Sequence, residues 1–298
     1  MVESSPARWR LWAYAGLYFF WGTTFLGIRI AVQHGLPPFF LSGLRHGSAG
    51  LILLVLARQQ GAAWPSRAQA LGAALMGVLF LAAANGTCAW AMQYVESGYA
   101  TLVIAGVPLM AFGYSAIFQG QKVRHLELAL LLLGLLGVAI LFSPGAASQH
   151  SSNAWGLAAL VVATLIWSVT MAEKKRFAQP THPLMLTAFQ MLGGGSVLGL
   201  VSLGVEHPWT LDFSAVPLQA WAAWAYLVVF GSCVGYASFS YLLGLDPPQR
   251  VGTYAYVNPI VAVLAGHWIL GEAISPVILV SGALIVASVA GLLSMKRG

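Results

Sequence analysis

The sequence contains very little charge: aspartate, glutamate, lysine and arginine together make up 7% of its 298 residues. Such a chain cannot cover a domain of this size with a solvated surface. Hydrophobic residues account for 59% of the chain, and the mean hydropathy is +0.79. These values exclude an ordinary soluble protein and predict one that crosses a membrane many times.

Patterns that would indicate an enzyme or an ATP-driven pump are also missing. The chain has no His-Glu-x-x-His pattern, no aspartate within an apolar run and no Gly-Lys-Ser/Thr loop for phosphate. Its two cysteines, Cys88 and Cys233, lie in the middle of apolar runs, where we expect them to pack as small side chains without forming a disulfide. We therefore expect no enzyme activity, no metal or other cofactor and no coupling to ATP.

What the chain has instead is ten apolar runs of membrane-spanning length. Five lie in residues 1–148 and five in residues 149–298, and we predict that these two ranges are two domains of five helices each. The expected fold is an all-α membrane protein with ten transmembrane helices. The runs lie near residues 11–31, 39–57, 68–94, 98–118, 126–142, 155–171, 184–204, 218–243, 251–270 and 276–294.

Short strings recur in the same order in the two halves, at separations of 146, 145 and 151 residues. They are Trp21-Gly-Thr-Thr24 with Trp167-Ser-Val-Thr170, Gly86-Thr-Cys88 with Gly231-Ser-Cys233, and Pro108 with Pro259. Such a register indicates duplication of one unit. Because each unit has an odd number of spans, the second must cross the bilayer upside down, as in alternating-access carriers. We therefore predict two inverted five-helix repeats around a central cavity.

The basic residues predict which way the chain lies in the membrane, because lysine and arginine accumulate on the cytoplasmic side. With both the N- and C-termini cytoplasmic, twelve of the fourteen basic residues fall in cytoplasmic segments. The other two, Arg29 and Arg45, lie within helices near the outer face. The net charge of +6 is thus a topology signal and does not indicate a nucleic-acid partner.

Polar and aromatic residues inside the predicted helices are the candidates for lining the cavity, because an intramembrane polar group is costly elsewhere. Trp21 and Trp167 lie near the bilayer centre, where an interfacial aromatic belt cannot explain them. For Tyr94, Tyr99 and Tyr241, which lie near helix ends, belt and cavity both remain open. The candidates are Trp21, Thr24, Asn85, Trp90, Tyr94, Tyr99, Trp167, Gln190, Tyr236, Tyr241, Tyr254 and Asn258.

Two prolines and two adjacent polar residues inside the predicted helices have distinct expected roles. Pro108 and Pro259 lie within the fourth and ninth predicted helices, and we expect them to bend both helices symmetrically around the pathway. Arg45 lies about 12 Å into its helix, so it can snorkel outward or reach a polar partner. His46 follows it and is expected to be a neutral, packed histidine. We predict a gating or structural polar role for Arg45 and His46.

Five longer motifs are specific when taken together: Trp21-Gly-Thr-Thr-Phe, Pro37-Pro followed by Arg45, Tyr94-Val-Glu-Ser-Gly-Tyr-Ala-Thr-Leu leading to Pro108, Trp155-Gly, and Ala255-Tyr-Val-Asn-Pro-Ile-Val-Ala-Val running into Gly271-Glu272. With them the chain resembles the drug/metabolite transporter superfamily, specifically its ten-helix EamA-type branch, over essentially its whole length. One departure is that the first half ends Gly120-Gln121, where many relatives have Gly-Glu.

This resemblance implies a multi-pass exporter of small metabolites in the bacterial inner membrane. Amino acids, including aromatic ones, are a prominent substrate class of such relatives. The resemblance also implies that helices one to four and six to nine surround the cavity, with helices five and ten at the periphery. The expected partners are therefore a small molecule and the lipid bilayer.

The residue types bound the substrate independently. A cavity of tryptophan, tyrosine, amide and hydroxyl groups suits a neutral or zwitterionic molecule with an apolar side chain. A phosphate ester would need several deep cations. We therefore predict an exporter of amino acids or similar small metabolites that works by alternating access. The alternatives are an exporter of drugs or lipophilic cations, which would need a deep carboxylate, and a facilitative, channel-like carrier.

Overall fold

The computed structural model describes residues 6–120, 124–141, 153–245 and 254–295. Helices follow one another through these ranges, and no strand occurs in them. The elements are α1 (Pro6–Gln33), α2 (Pro38–Gln59), α3 (Arg67–Gly77, Val78–Gly86 and Thr87–Ala91), α4 (Ser97–Ile104 and Val107–Phe118), α5 (His125–Leu141), α6 (Ala154–Glu173), α7 (Pro183–Val205), α8 (Leu218–Tyr226, Leu227–Val234 and Gly235–Leu245), α9 (Tyr254–Leu270) and α10 (Pro276–Ser294). Two 3₁₀ turns, Lys174–Arg176 and Pro208–Thr210, lie in the connections.

Seven of these elements are long and apolar enough to cross a bilayer. Three shorter apolar stretches, His125–Gly137, Val257–Leu270 and Pro276–Ser288, lie in α5, α9 and α10. Together they make ten apolar helices in the described part of the chain, as the sequence predicts. The prediction of an all-α, multi-pass membrane protein is therefore confirmed.

Some of the helices begin at a residue whose side chain caps the first turn. At the start of α3, Gln69 N donates to Ser66 Oγ at 3.2 Å and Ser66 N donates to Gln69 Oε1 at 2.9 Å, which is a reciprocal capping box. At the start of α10, Ile278 N donates to Ser275 Oγ at 3.2 Å. Helices α2, α7 and α10 also have proline in their first turn, where its missing amide leaves no helical bond unmade.

Helices α3 and α8 occupy the same place in the two halves, and each contains a π-helical segment. The segments are Val78–Gly86 in α3 and Leu227–Val234 in α8. The repeated strings that begin at Gly86 and Gly231 therefore lie at the end of the first segment and inside the second. Such wide turns within α-helices are frequent at functional sites. Hydropathy alone gives no sign of them, because an apolar run looks the same in an α- and a π-helix.

Helices α2 and α7 form a close contact between the two halves. Gly43 and Gly47 of α2 face Gly195 and Gly199 of α7, so each helix presents two glycines about one turn apart. A Cβ placed on Gly43 would lie 2.9 Å from Gly199 N, and one on Gly195 would lie 2.7 Å from Gly47 N. Only glycine allows two backbones to approach this closely, and membrane helices use such contacts for van der Waals packing.

Helices α5 and α10 pack against each other at the edge of the bundle. Ser288 Oγ on α10 donates to Leu130 O on α5. The outward side chains Leu132, Leu136 and Leu279 are exposed on these two helices, as lipid-facing positions require. In the described part of the chain, neither helix contributes to the central cavity.

The glycine contact between α2 and α7 gives a prediction about stability. Replacing Gly195 with alanine places a methyl group against the backbone of α2, so we expect a loss of about 1–3 kcal/mol, typical of overpacking. Gly204→Ala on the same helix is the matched control, because a Cβ there meets nothing within 4 Å. The control should be neutral or slightly stabilising, since alanine favours helix over glycine. Thermal unfolding in detergent measures both, and equal stability of the two variants would contradict this packing.

Candidate substrate cavity

A central cavity of about 730 Å³, including its opening, lies between the two halves. Its wall comes from α1 to α4 of the first half and from α6, α8 and α9 of the second. Helix α7, which the resemblance places around the cavity, contributes no lining residue in the described part of the chain and packs behind α2 instead. The lining residues are Trp21, Thr24, Phe25, Arg45, His46, Leu81, Ala84, Asn85, Cys88, Ile104, Val107, Ala163, Trp167, Tyr236, Tyr254 and Asn258.

Trp21 is the centre of an aromatic group in this wall. Its ring contacts Tyr236 and Tyr254 edge to face, with centroid distances of 5.4 and 5.2 Å, and lies 5.2 Å from the ring of Phe239. Trp21 Nε1 donates to the carbonyl oxygen of Gly231 at 3.2 Å. These contacts fix the indole in one orientation and satisfy its single donor. The first half thus supplies one ring of the group and the second half supplies the others.

Trp167, which is equivalent to Trp21 by the repeat, lines the opposite half of the wall. Its ring packs against Phe80 of the π-helical segment of α3, with 4.8 Å between the centroids. Each half therefore places a tryptophan against the π-bearing helix of the other half. The recurrence of the two tryptophans in the sequence reflects this reciprocal arrangement.

Arg45 reaches from α2 to the π-helical segment of α8. Its Nε donates to Ser232 Oγ at 2.9 Å, and the residue is only 4% exposed. Gly231 makes room for the guanidinium, since a Cβ there would lie 3.1 Å from Arg45 Nη2 and 3.3 Å from Thr24 Oγ1. Arg45 Nη1 is buried and has no hydrogen-bond partner among the described residues. The side chain therefore takes a polar partner at depth and does not snorkel to the surface.

His46, the next residue, makes the corresponding contact with α3. Its Nε2 lies 3.1 Å from Asn85 Oδ1. Because a carboxamide oxygen can only accept, Nε2 carries the proton in this bond. Asn85 belongs to the π-helical segment of α3, so two adjacent residues of α2 bind the two π-helical segments. Arg45 and His46 thus hold both sides of the cavity wall to one helix.

The two prolines do not bend their helices in the same way, contrary to the symmetric bend that the sequence predicts. At Pro108 the fourth helix is interrupted: one segment ends at Ile104, the next begins at Val107, and Pro108 falls in its first turn. Pro259 lies instead inside the continuous helix α9. Only the first half therefore has a broken helix at this level.

The residue before Pro259, Asn258, binds two backbone carbonyl groups beside the cavity. In the orientation of its side-chain amide that satisfies both groups, the nitrogen donates to the carbonyl oxygens of Tyr18 at 3.1 Å and Tyr254 at 3.3 Å. Asn258 also ties α9 to α1 beside the cavity.

Three predicted residues near the turn between α3 and α4 do not reach the cavity wall. The rings of Trp90 and Tyr94 pack on each other, with centroids 4.9 Å apart, at the end of α3. Tyr99 is completely buried in the apolar core at the start of α4. The π-helical segment directs Asn85 and Cys88 into the cavity, and the residues after it continue into the turn.

Gln190 and Tyr241 also lie away from the lining. Gln190 faces α3, where its Nε2 lies 3.9 Å from Met76 Sδ, because α7 packs against α2 and α3 from outside. Tyr241 is 40% exposed near the end of α8, as the aromatic-belt alternative requires. Neither position could be assigned from the sequence, which does not fix how a helix is rotated about its axis.

Three residues of the site were not predicted from the sequence. They are Ser232, which binds Arg45, Phe80, which packs on Trp167, and Phe239, which packs on Trp21. The repeated string Gly231-Ser-Cys233 was the available signal for Ser232. Nothing in an apolar run distinguishes a phenylalanine that packs on a cavity tryptophan from one that faces lipid. Of the two cysteines, both free, Cys88 lines the cavity.

Ten apolar helices, seven of which line a central cavity in the described part of the chain, define a polytopic membrane transporter. The chain belongs to the EamA-like transporter family: the family model matches residues 8–143 and again residues 154–294. The resemblance drawn from the sequence is therefore confirmed, and the protein is a transporter of small molecules and not an enzyme. Gln121, where the sequence departs from the Gly-Glu of many relatives, lies outside the described residues.

Individual relatives agree with this assignment. The chain is 36% identical to the uncharacterized inner membrane transporter YedA of Escherichia coli K12 over 263 residues, which cover 88% of this chain and 83% of that protein. It is 26% identical to a probable terminal-alkyne amino-acid exporter of Streptantibioticus cattleyicolor, over 94% of this chain and 91% of that one. A crystal structure of a protein 20% identical shares the fold, with a TM-score of 0.65 over 95% of this chain and 96% of that one. The predicted inner-membrane localisation is confirmed.

If the cavity is the transport pathway, replacing one of its tryptophans should slow transport, whereas replacing a lipid-facing tryptophan should not. We expect Trp167→Ala to reduce transport at least about tenfold, because it removes a ring that would contact substrate. Trp268→Ala is the control, since Trp268 is 75% exposed on α9. Flux in proteoliposomes, normalised to the amount of folded protein, measures both. Equal loss in the two variants would show that the cavity position has no special role.

Proposed function

We propose that the protein exports amino acids or similar small zwitterionic metabolites through the central cavity by alternating access. The observation that carries this proposal is the chemistry of the lining. Aromatic rings from both halves lie beside the amides of Asn85 and Asn258 and the cation of Arg45. Aromatic and apolar surface suits an apolar side chain, and a few convergent polar groups suit the charged end of an amino acid.

A relative supports the same substrate class. The probable exporter of Streptantibioticus cattleyicolor named above matches nearly the whole of both chains, and its name specifies a terminal-alkyne amino acid. The similarity extends over 94% of this chain. An amino acid is therefore the first class of substrate to test.

The alternative, an exporter of lipophilic cations, is less well supported. Such a substrate needs a carboxylate at depth to offset its charge. Among the described residues, the cavity lining contains no aspartate or glutamate. The guanidinium of Arg45 would also repel a cation at this depth, where screening by solvent is weak.

Contacts between the halves at the predicted outer end fit a closed gate. Arg29 of α1 forms an ion pair with Glu272, with 3.2 Å between Nε and Oε1. Glu272 follows α9 and also accepts from Ser97 N at 3.0 Å and Ser97 Oγ at 2.7 Å. The two predicted domains, residues 1–148 and 149–298, would have to break these bonds in order to separate at this end of the cavity.

At the predicted inner end a different set of contacts crosses between the halves. Glu173 at the end of α6 accepts from Tyr114 Oη at 2.9 Å and from Gln119 Nε2 at 3.1 Å, both on or after α4. These bonds lie nearer to solvent than the Arg29–Glu272 pair and are correspondingly easier to exchange for water. Reversible polar contacts at both ends of one cavity fit a carrier that opens to one side at a time.

The substrate class is tested by counterflow with purified protein in liposomes. We expect labelled threonine, methionine or phenylalanine to accumulate above the level in liposomes without protein, because each has a carboxylate and an apolar portion. A labelled lipophilic cation, tetraphenylphosphonium, is the comparison. Movement of the cation with no flux of any of the three amino acids would contradict the proposal and favour the alternative.

The gate is tested by weakening the ion pair without changing its shape. Glu272→Gln should favour opening at the outer end, because breaking one partner of a buried ion pair costs about 3–5 kcal/mol. A cysteine at Thr24, in a chain with Cys88 and Cys233 replaced by alanine, should then react about tenfold faster with an impermeant thiol reagent added outside. Asp212→Asn is the control, because Asp212 bonds only locally to Ser214 among the described residues. Unchanged labelling in Glu272→Gln would rule out this gate.

A further inference from the structure

Arg45 is a buried cation without a counter-charge in the described part of the chain. Six of the eight acidic residues are described, and all six lie at helix ends or in connections: Glu96, Glu127, Glu173, Glu206, Asp212 and Glu272. The ion pairs found among the described residues are Arg29–Glu272 and Arg176–Glu173. None of these carboxylates neutralises the guanidinium in the cavity wall.

The surroundings of Arg45 contain uncharged groups. Tyr236, Cys88 and Cys233 are close enough to interact with it electrostatically, and His46 donates its Nε2 proton to Asn85. Arg45 therefore remains the cation of a cavity whose other polar groups are hydroxyls, amides, indoles, one imidazole and one thiol. A charge in such a setting is strongly unfavourable without a partner of opposite sign.

The guanidinium of Arg45 has a buried donor that no described residue uses. Ser232 Oγ takes the Nε proton at 2.9 Å, which fixes the plane of the group. Nη1 has no hydrogen-bond partner among the described residues. A guanidinium held at Nε presents its remaining donors as a planar fork, which matches the two oxygens of a carboxylate.

We infer that Arg45 binds the carboxylate of the transported molecule and makes the carrier selective for acids over their amides. The aromatic group around Trp21 would then face the rest of the substrate, since Tyr236 contacts Trp21 and lines the same cavity as Arg45. This inference rests on the proposed function and goes beyond it, because it assigns selectivity to one side chain. Ser232 acts in it as a positioning residue for the guanidinium.

The test compares an acid with its amide in competition for counterflow. In liposomes containing the wild-type protein, phenylalanine should inhibit counterflow of labelled phenylalanine at least about tenfold more strongly than phenylalaninamide, since the amide lacks the charged acceptor. In Arg45→Gln the apparent KM for phenylalanine should rise roughly ten- to hundredfold. The preference for acid over amide should fall close to one.

Two further variants separate binding from a structural role. Arg58→Gln removes the same charge from the same helix outside the cavity lining and should leave both the KM and the preference unchanged. Arg45→Lys keeps the charge without the fork and should retain part of the preference, and it serves as the main variant if Arg45→Gln does not fold. If Arg45 were merely structural, its variants would slow acid and amide equally and keep the wild-type preference, which would overturn the inference.

The outcomes also distinguish this inference from the proposed function. A wild-type protein that carries phenylalanine but does not prefer it to the amide would overturn the role of Arg45 alone. A wild-type protein that carries none of threonine, methionine and phenylalanine would overturn the proposed function, and the inference with it.

Discussion

A polar group inside a bilayer must find its partner within the protein or in a wet cavity, because hydrocarbon offers none. This constraint makes every described span helical, and it also determines how the cavity is built. Arg45 and His46, adjacent on α2, meet it by binding Ser232 in the π-helical segment of α8 and Asn85 in that of α3. One helix thereby joins the irregular parts of both halves, and the wall between them becomes polar at mid-depth.

The contacts between the halves are of two kinds, and the difference fits a carrier. Behind the cavity, α2 and α7 meet backbone to backbone through Gly43 and Gly195, in a contact that depends on shape alone. At the ends, the halves meet through polar side chains such as Glu272 and Glu173, whose bonds can be exchanged for water. In the proposed cycle the polar contacts at the two ends open in turn.

Much of this architecture could be predicted from the sequence, because hydropathy and internal repetition report directly on spans and symmetry. The positions of Trp21 and Trp167 followed from their recurrence at bilayer depth. The π-helical segments could not be predicted, since one extra residue per turn leaves no mark on composition. The direction of the Arg45 side chain could not be predicted, because its long aliphatic part permits both snorkelling to the surface and contact with a polar partner at depth. Whether Tyr99 and Gln190 line the cavity depends on turn geometry and on the rotation of each helix about its axis. The packing of neighbouring helices determines both.

If the two halves that enclose the cavity are inverted, equivalent turns of the two halves face opposite sides of the membrane. Single cysteines at Ala63, between α2 and α3, and at Ala215, between α7 and α8, would be introduced into a chain without Cys88 and Cys233. With an impermeant maleimide on intact cells, Ala215→Cys should be labelled from outside, and Ala63→Cys should be labelled only after the membrane is permeabilised. Labelling of both positions from the same side would contradict the inverted arrangement.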